Sequence, residues 1–300
     1  MFWWNGRLRD GFDVSRIFFV AVAPYLLWVR FYLDGVAARA MDGFRPVLAV
    51  SDEEFSRLRY ELTTLPAPLT RIATIAAIVG YIANVALLPD QIIAQFGPSR
   101  GMTAVLLAPV AMFTLAVVVI STAQAARQLW MVDLIHGLAE HVNLLRVKPF
   151  YAFSGLASRT GISFLVLAYF IAAVSPDIVR DTPLLQVLIV AMLPTAVACF
   201  VLPLYGMHLR LVAEKDRLLA EANARFETVL VRLHARVDGE LLTDADKLFH
   251  QLSSVAAERE AISRLSTWPW EAATVTGFLT TLVLPVLLWL VQRLLGRLGL

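Results

Sequence analysis

Long apolar runs alternate along this chain with stretches of mixed polarity that are rich in arginine. Five runs, about 70–89, 103–124, 158–176, 184–206 and 271–292, reach the roughly 20 apolar residues a helix needs to cross a hydrocarbon core about 30 Å thick. Asn84 is the most polar interior residue of the first, and the second is nearly unbroken around Pro109. The third is long enough if Arg159 snorkels at its end, keeping its stem in apolar surroundings and its guanidinium in water. Pro194 and Pro203 predict kinks in the fourth run, and the fifth contains Pro285. A sixth run, 17–33, is interrupted by Arg30; it spans, lies in the interface or turns back at Pro24. Ala38-Arg39-Ala40 imitates a signal-peptidase site, but Asp10 and Asp13 in the leading region and Arg30 before the site oppose cleavage. The expected fold is therefore all-α: a polytopic transmembrane helical bundle of five to six spans.

The polar stretches carry a helical period of their own. Within 207–270, Leu211, Leu218, Ala222, Phe226, Val229, Leu233 and Val237 make one apolar stripe, and Leu241, Ala245, Leu248, Leu252, Val255, Ile262 and Leu265 make another. Gly239 separates them, and Thr243 or Asp244 can cap the second helix. Two striped helices in succession predict an antiparallel, coiled-coil-like hairpin. Ser51-Asp52-Glu53-Glu54 is a capping box opening a short helix with Phe55, Leu58 and Leu62, read as lying on the membrane surface or against the hairpin. The domains expected are 1–206, transmembrane with loops 34–69 and 125–159; 207–270, the hairpin; and 271–300, the last span and tail.

Composition supports lipid as the solvent. Hydrophobic residues make up 58% of the chain and charged residues 17%, whereas soluble domains average about 25% charged. Lys and Arg number four in 34–69, four in 125–159 and nine in 207–270, against one each in 90–102 and 177–183. Basic residues accumulate on the cytoplasmic side, so the three long loops are expected there, in the cell membrane, with the C-terminus outside. The N-terminus depends on 17–33, whose apolar content favours six crossings. Trp268, Trp270 and Trp289 bracket the last run as interfacial anchors. The basic and aromatic stretch Leu144–Ser154 reads as a collar beside anionic headgroups. Residues 208–266 hold nine basic and ten acidic residues, which excludes a nucleic-acid stripe. Cys199, the single cysteine, rules out an internal disulfide and reads as a small packing residue.

Chemistry leaves little trace. Asp133, His136 and Glu140 are spaced three and four apart, on one helical face, and are the weak candidates for a metal; a solvated polar face is the commoner arrangement. His208, His234 and His250 lack ligand spacing. No phosphate-binding glycine loop, nucleophile elbow or His-Glu-x-x-His occurs, so neither a cofactor nor a catalytic residue is expected. The five runs contain no ionisable residue in their interiors, which argues against proton-coupled transport. Ala76-Gly80 and Ala191-Thr195-Cys199 offer small residues four apart for close helix contact. The reading these features favour is a non-enzymatic scaffold or oligomeric assembly, with a homo-oligomer or protein partner bound through 208–266. The alternatives are a channel or transporter with an uncharged pathway, and a membrane-bound enzyme built on Asp133, His136 and Glu140.

Overall fold

The computed structural model describes residues 15–87, 102–139, 143–144, 146–174, 183–238 and 245–298. These residues form α1 (Ser15–Phe44), α2 (Asp52–Thr63), α3 (Ala67–Leu87), α4 (Met102–Gly137), α5 (Ser154–Val174), α6 (Pro183–Asp238), α7 (Ala245–Ser263) and α8 (Ala272–Leu298). Short 3-10 turns occupy Arg45–Val47 and Lys148–Tyr151. The only β pairing among the described residues is an isolated antiparallel bridge between Leu48 and Ala139. The protein is all-helical. Four of its helical stretches, in α3, α4, α5 and α6, are long and apolar enough to cross a membrane, and α8 adds a shorter apolar stretch at Ala272–Leu287. The expected outer stretches 90–102 and 177–183, the turn at Gly239, and the side chains of Asn84 and Trp289 lie almost wholly outside the described residues.

The outward face of α3 is apolar and exposed. Ile72, Ile75, Val79 and Ile82 of α3 are 59–61% exposed, a continuous apolar face too large for a monomer in water. The core lies between α1, α4, α5 and α6, and holds Phe44, Ile135, Phe153, Leu156, Leu165 and Leu204. Helices α5 and α6 meet closely because Gly161 leaves room for Ala196: a β-carbon at Gly161 would stand 2.7 Å from the Ala196 carbonyl oxygen and 2.8 Å from the Phe278 ring.

Several boundaries differ from the sequence reading. Helix α1 does not turn back at Pro24, and it continues eleven residues into the stretch 34–69 expected as loop, because Leu33, Ala37, Ala40, Met41 and Phe44 recur at helical spacing and are all buried. Helix α6 is a single helix of 56 residues through Pro194 and Pro203, joining the fourth apolar run to the first hairpin helix. At 1.5 Å per residue it is about 84 Å long. Ser51 caps α2 as its sequence predicts, accepting from the Glu54 backbone N–H at 3.2 Å. That helix packs on α1 and α4, through Leu58 and Leu62, rather than on α6 or α7. The small-residue faces are shifted too. On α3 the buried residues are Ala73 and Ala77 with Ala76 exposed, and on α6 Ala196 is buried with Ala191 and Thr195 exposed.

Candidate functional site

Three neighbourhoods collect the polar and aromatic groups that the bundle buries. The first joins α1 to α4. Gln124 and Gln128 are one turn apart on α4, 2% and 1% exposed, and both amides donate to Asp34 Oδ1 of α1, Gln124 at 3.2 Å. Because the amide nitrogens face the carboxylate, each Oε1 points away from it, and neither finds a hydrogen-bond donor. Both glutamines line a cavity of about 40 Å³ between α1, α4 and α5, together with Arg30, Thr160 and Ser163. The Thr160 and Ser163 hydroxyls donate to the Leu156 and Arg159 carbonyls of their own helix. The space is mostly apolar and has room for one or two water molecules. Sequence reasoning placed Gln124 only at the end of an apolar run; its spacing of four from Gln128 was the available signal.

The second neighbourhood is an aromatic cage at the end of α4. Arg127 fixes the level of that end by donating to the Glu61 and Thr64 carbonyls at the α2–α3 corner, the latter at 2.7 Å. His136 lies about 18 Å beyond the apolar run 103–124, counted along the helix. Its ring is 1% exposed and meets Phe44 and Phe153 edge-on, each with centroids 5.3 Å away. Neither ring nitrogen reaches a hydrogen-bond partner. Burial pushes the imidazole pKa down to about 4; the Pro203 carbonyl works against it by favouring the charged ring, and the Arg210 guanidinium adds to it. Arg210 also closes the cage from α6, donating to the His136 and Gly137 carbonyls at 2.9 and 3.1 Å.

Asp133 is exposed and its carboxylate lies over Gly206 of α6, while His136 is enclosed by phenyl rings and Glu140 lies outside the described residues. The expectation of a solvated face fails for His136, because Phe44 and Phe153 arrive from α1 and from the residue before α5. No group of three His, Cys, Asp or Glu side chains among the described residues is placed to hold a metal.

The third neighbourhood is an aromatic ladder that ties α6 to α8 and the residues before it. His208 stacks on Trp268 at 3.8 Å, Trp268 on Trp270 at 4.2 Å, Trp270 on Phe200 at 5.2 Å, and Phe200 on Phe278 at 4.6 Å. The Nδ1–H of His208 in its donor tautomer bonds the Thr267 carbonyl at 3.0 Å. His208 is thus spent on packing.

Beyond the ladder, α7 packs on the far half of α6. Lys215 of α6 donates to the Ser263 and Leu265 carbonyls at 2.6 and 2.8 Å, and Arg225 pairs with Glu258 at 3.1 Å. Contact positions that rise along α6 and fall along α7 make the two antiparallel. Ala222 and Ile262 are buried, but Phe226, Val229, Leu233, Leu248, Leu252 and Val255 are only half-buried, and Val231, Val237 and Phe249 are exposed.

No family model matches the chain, no curated protein matches it, and no solved structure matches its fold.

Proposed function

We propose that this chain is a multi-pass protein of the cell membrane, with five or six spans, that works as a non-enzymatic scaffold and self-associates through an arm made of α6 beyond residue 207 and α7. The supporting observation is the incomplete burial of the arm's apolar stripes. A helical stripe needs covering on its whole width, and α7 leaves Phe226, Leu233, Leu248 and Leu252 half-exposed. Two such helix pairs side by side form a four-helix bundle, which buries stripes of this width. The arm's nine basic and ten acidic residues cancel, so a second copy meets no net repulsion. Copies held upright in one bilayer also present their arms in parallel, which raises their effective concentration.

Orientation follows the seventeen Lys and Arg residues of 34–69, 125–159 and 207–270 against two in the shorter stretches. The arm, α2 and the end of α4 thereby lie in the cytoplasm. Residues 17–33 make the sixth span, as the unbroken helix through Pro24 allows.

Cross-linking in native membranes tests the arm. Wild type is expected to give a dimer or higher band that weakens strongly in Leu233→Asp and in Leu252→Asp. Bands of unchanged intensity in both variants refute the reading.

A further inference from the structure

A second feature at the basic end of the bundle concerns lipid rather than protein, and it goes beyond the arm. Arg39 of α1, Lys148 of the 3-10 turn and Arg159 of α5 line one open groove of about 480 Å³. Three separate segments converge there, with Gly43 of α1 facing Ala152, whose β-carbon lies 3.5 Å from where a β-carbon on the glycine would stand. No acidic side chain lines the groove, and none of the three cations makes an ion pair among the described residues. The nearby Asp42 is taken by Arg59, at 3.1 Å. Elsewhere Arg45, Arg57, Arg127, Arg217, Arg225 and Arg264 pair with carboxylates, while Arg71, Arg146, Arg232, Arg236 and Arg259 make no ion pair among the described residues. What sets the groove apart is that cations from three separate segments share it with no carboxylate in its lining.

Position says what would neutralise them. Arg159 stands at the start of the apolar run 158–176, where a long basic side chain reaches the headgroup layer. Trp28 and Tyr32, on the preceding turns of α1, are exposed at 63% and 38% and are the amphipathic aromatics of a membrane interface, with the apolar ring of Phe31 exposed between them. Arg39 lies seven residues beyond Tyr32, about 10 Å along the helix. The groove thus opens at headgroup depth, with Ala40 and Ala152 as its apolar floor.

We propose that the Arg39–Lys148–Arg159 groove binds the phosphate of an anionic phospholipid in the cytoplasmic leaflet. Guanidinium groups bind phosphate oxygens through paired N–H donors, and the lysine adds a point charge. Retention of such a lipid does not require association of the arm, so the lipid-retention and cross-linking tests can fail separately.

The test uses the purified full chain in detergent, with dioleoyl phosphatidylglycerol, dioleoyl phosphatidylcholine or inorganic phosphate as the added probe. Native mass spectrometry reads the lipid retained, and the thermal midpoint reads stabilisation. Wild type is expected to retain phosphatidylglycerol over phosphatidylcholine, and Lys148→Gln to bind it about fivefold more weakly, the effect of one charge near an anionic surface. The triple variant Arg39→Gln, Lys148→Gln, Arg159→Gln is expected to lose the preference. The control pair Arg232→Gln, Arg236→Gln, on the arm, is expected to keep it. If the triple variant does not fold, the single Lys148→Gln variant decides. Unchanged retention in Lys148→Gln overturns the proposal, as does equal loss in the control pair. Stabilisation by inorganic phosphate equal to that by phosphatidylglycerol overturns the lipid as the source.

Discussion

Gly161 of α5 lies against the backbone of Ala196 of α6, so close that a β-carbon on the glycine would stand 2.7 Å from the Ala196 carbonyl oxygen. Backbone cannot step aside as a side-chain end can. Gly161→Ala is therefore expected to lower stability by about 1–3 kcal/mol, the usual cost of overpacking. Gly206 is the contrast. A β-carbon there meets only the carboxylate of Asp133, an exposed side chain free to rotate. Gly206→Ala is expected to stay within about 1 kcal/mol of wild type, with the gain in helix propensity offsetting the displacement. Thermal unfolding of the two variants in one detergent checks the pair; equal midpoints would contradict the close packing of α5 on α6.

His136 gives the protein an acid limit. Its pKa is held down to about 4 from an ordinary value of 6.5, because the ring has exchanged water for Phe44 and Phe153. A histidine with a lowered native pKa binds its proton more weakly in the folded state than in the unfolded one. Its stabilising contribution is full above about pH 6.5 and is lost as pH falls toward 4. At roughly 1.4 kcal/mol per pH unit, the loss across that window is about 3 kcal/mol. His136→Leu keeps the ring site apolar and removes the proton site. Denaturation of the purified chain across that range is expected to show a weaker acid dependence in the leucine variant. Identical slopes in both proteins would show that His136 is hydrated.

How far these sites were legible in the sequence depends on where their parts come from. The Ser51 cap and four of the five apolar runs are local patterns that appear in the structure at the residues that carry them, and of the stripes of 207–270 Leu211, Ala222 and Ile262 are buried while Val237 is exposed. Faces chosen between neighbouring registers were less secure: Ala73 and Ala77 are small residues at the same spacing as Ala76 and Gly80, and packing against α4 separates the two pairs. Loop 34–69 hid the second half of α1, because Asp34, Arg39 and Asp42 lower its hydropathy while Ala37, Met41 and Phe44 are buried on the other face. His136 could be placed on a helix but not inside a cage, since Phe44 and Phe153 come from distant segments. Asp34 was invisible as a partner of Gln124 for the same reason: ninety residues separate them.

Asp34 is the acceptor on which two buried amides depend. Asp34→Leu leaves the Gln124 and Gln128 nitrogens without a partner, in a setting where their oxygens already lack one. The expected cost is about 2–4 kcal/mol, from two buried donors left unsatisfied. Combining it with Gln124→Leu and Gln128→Leu is expected to recover part of the loss, because an apolar trio needs no acceptor. Failure of the triple variant to regain any stability would show that the cluster does not act as one network.

The arm and the basic loops sharing the cytoplasmic side is the claim on which the scaffold reading and the lipid groove both rest. A single introduced thiol reports on it directly: Phe249→Cys, on exposed α7, in a Cys199→Ser background. A membrane-impermeant maleimide added to intact cells is expected to leave the introduced thiol unlabelled and to label it fully once the cells are permeabilised. Labelling of that thiol in intact cells, to the same extent as after permeabilisation, would place the arm outside and contradict the account.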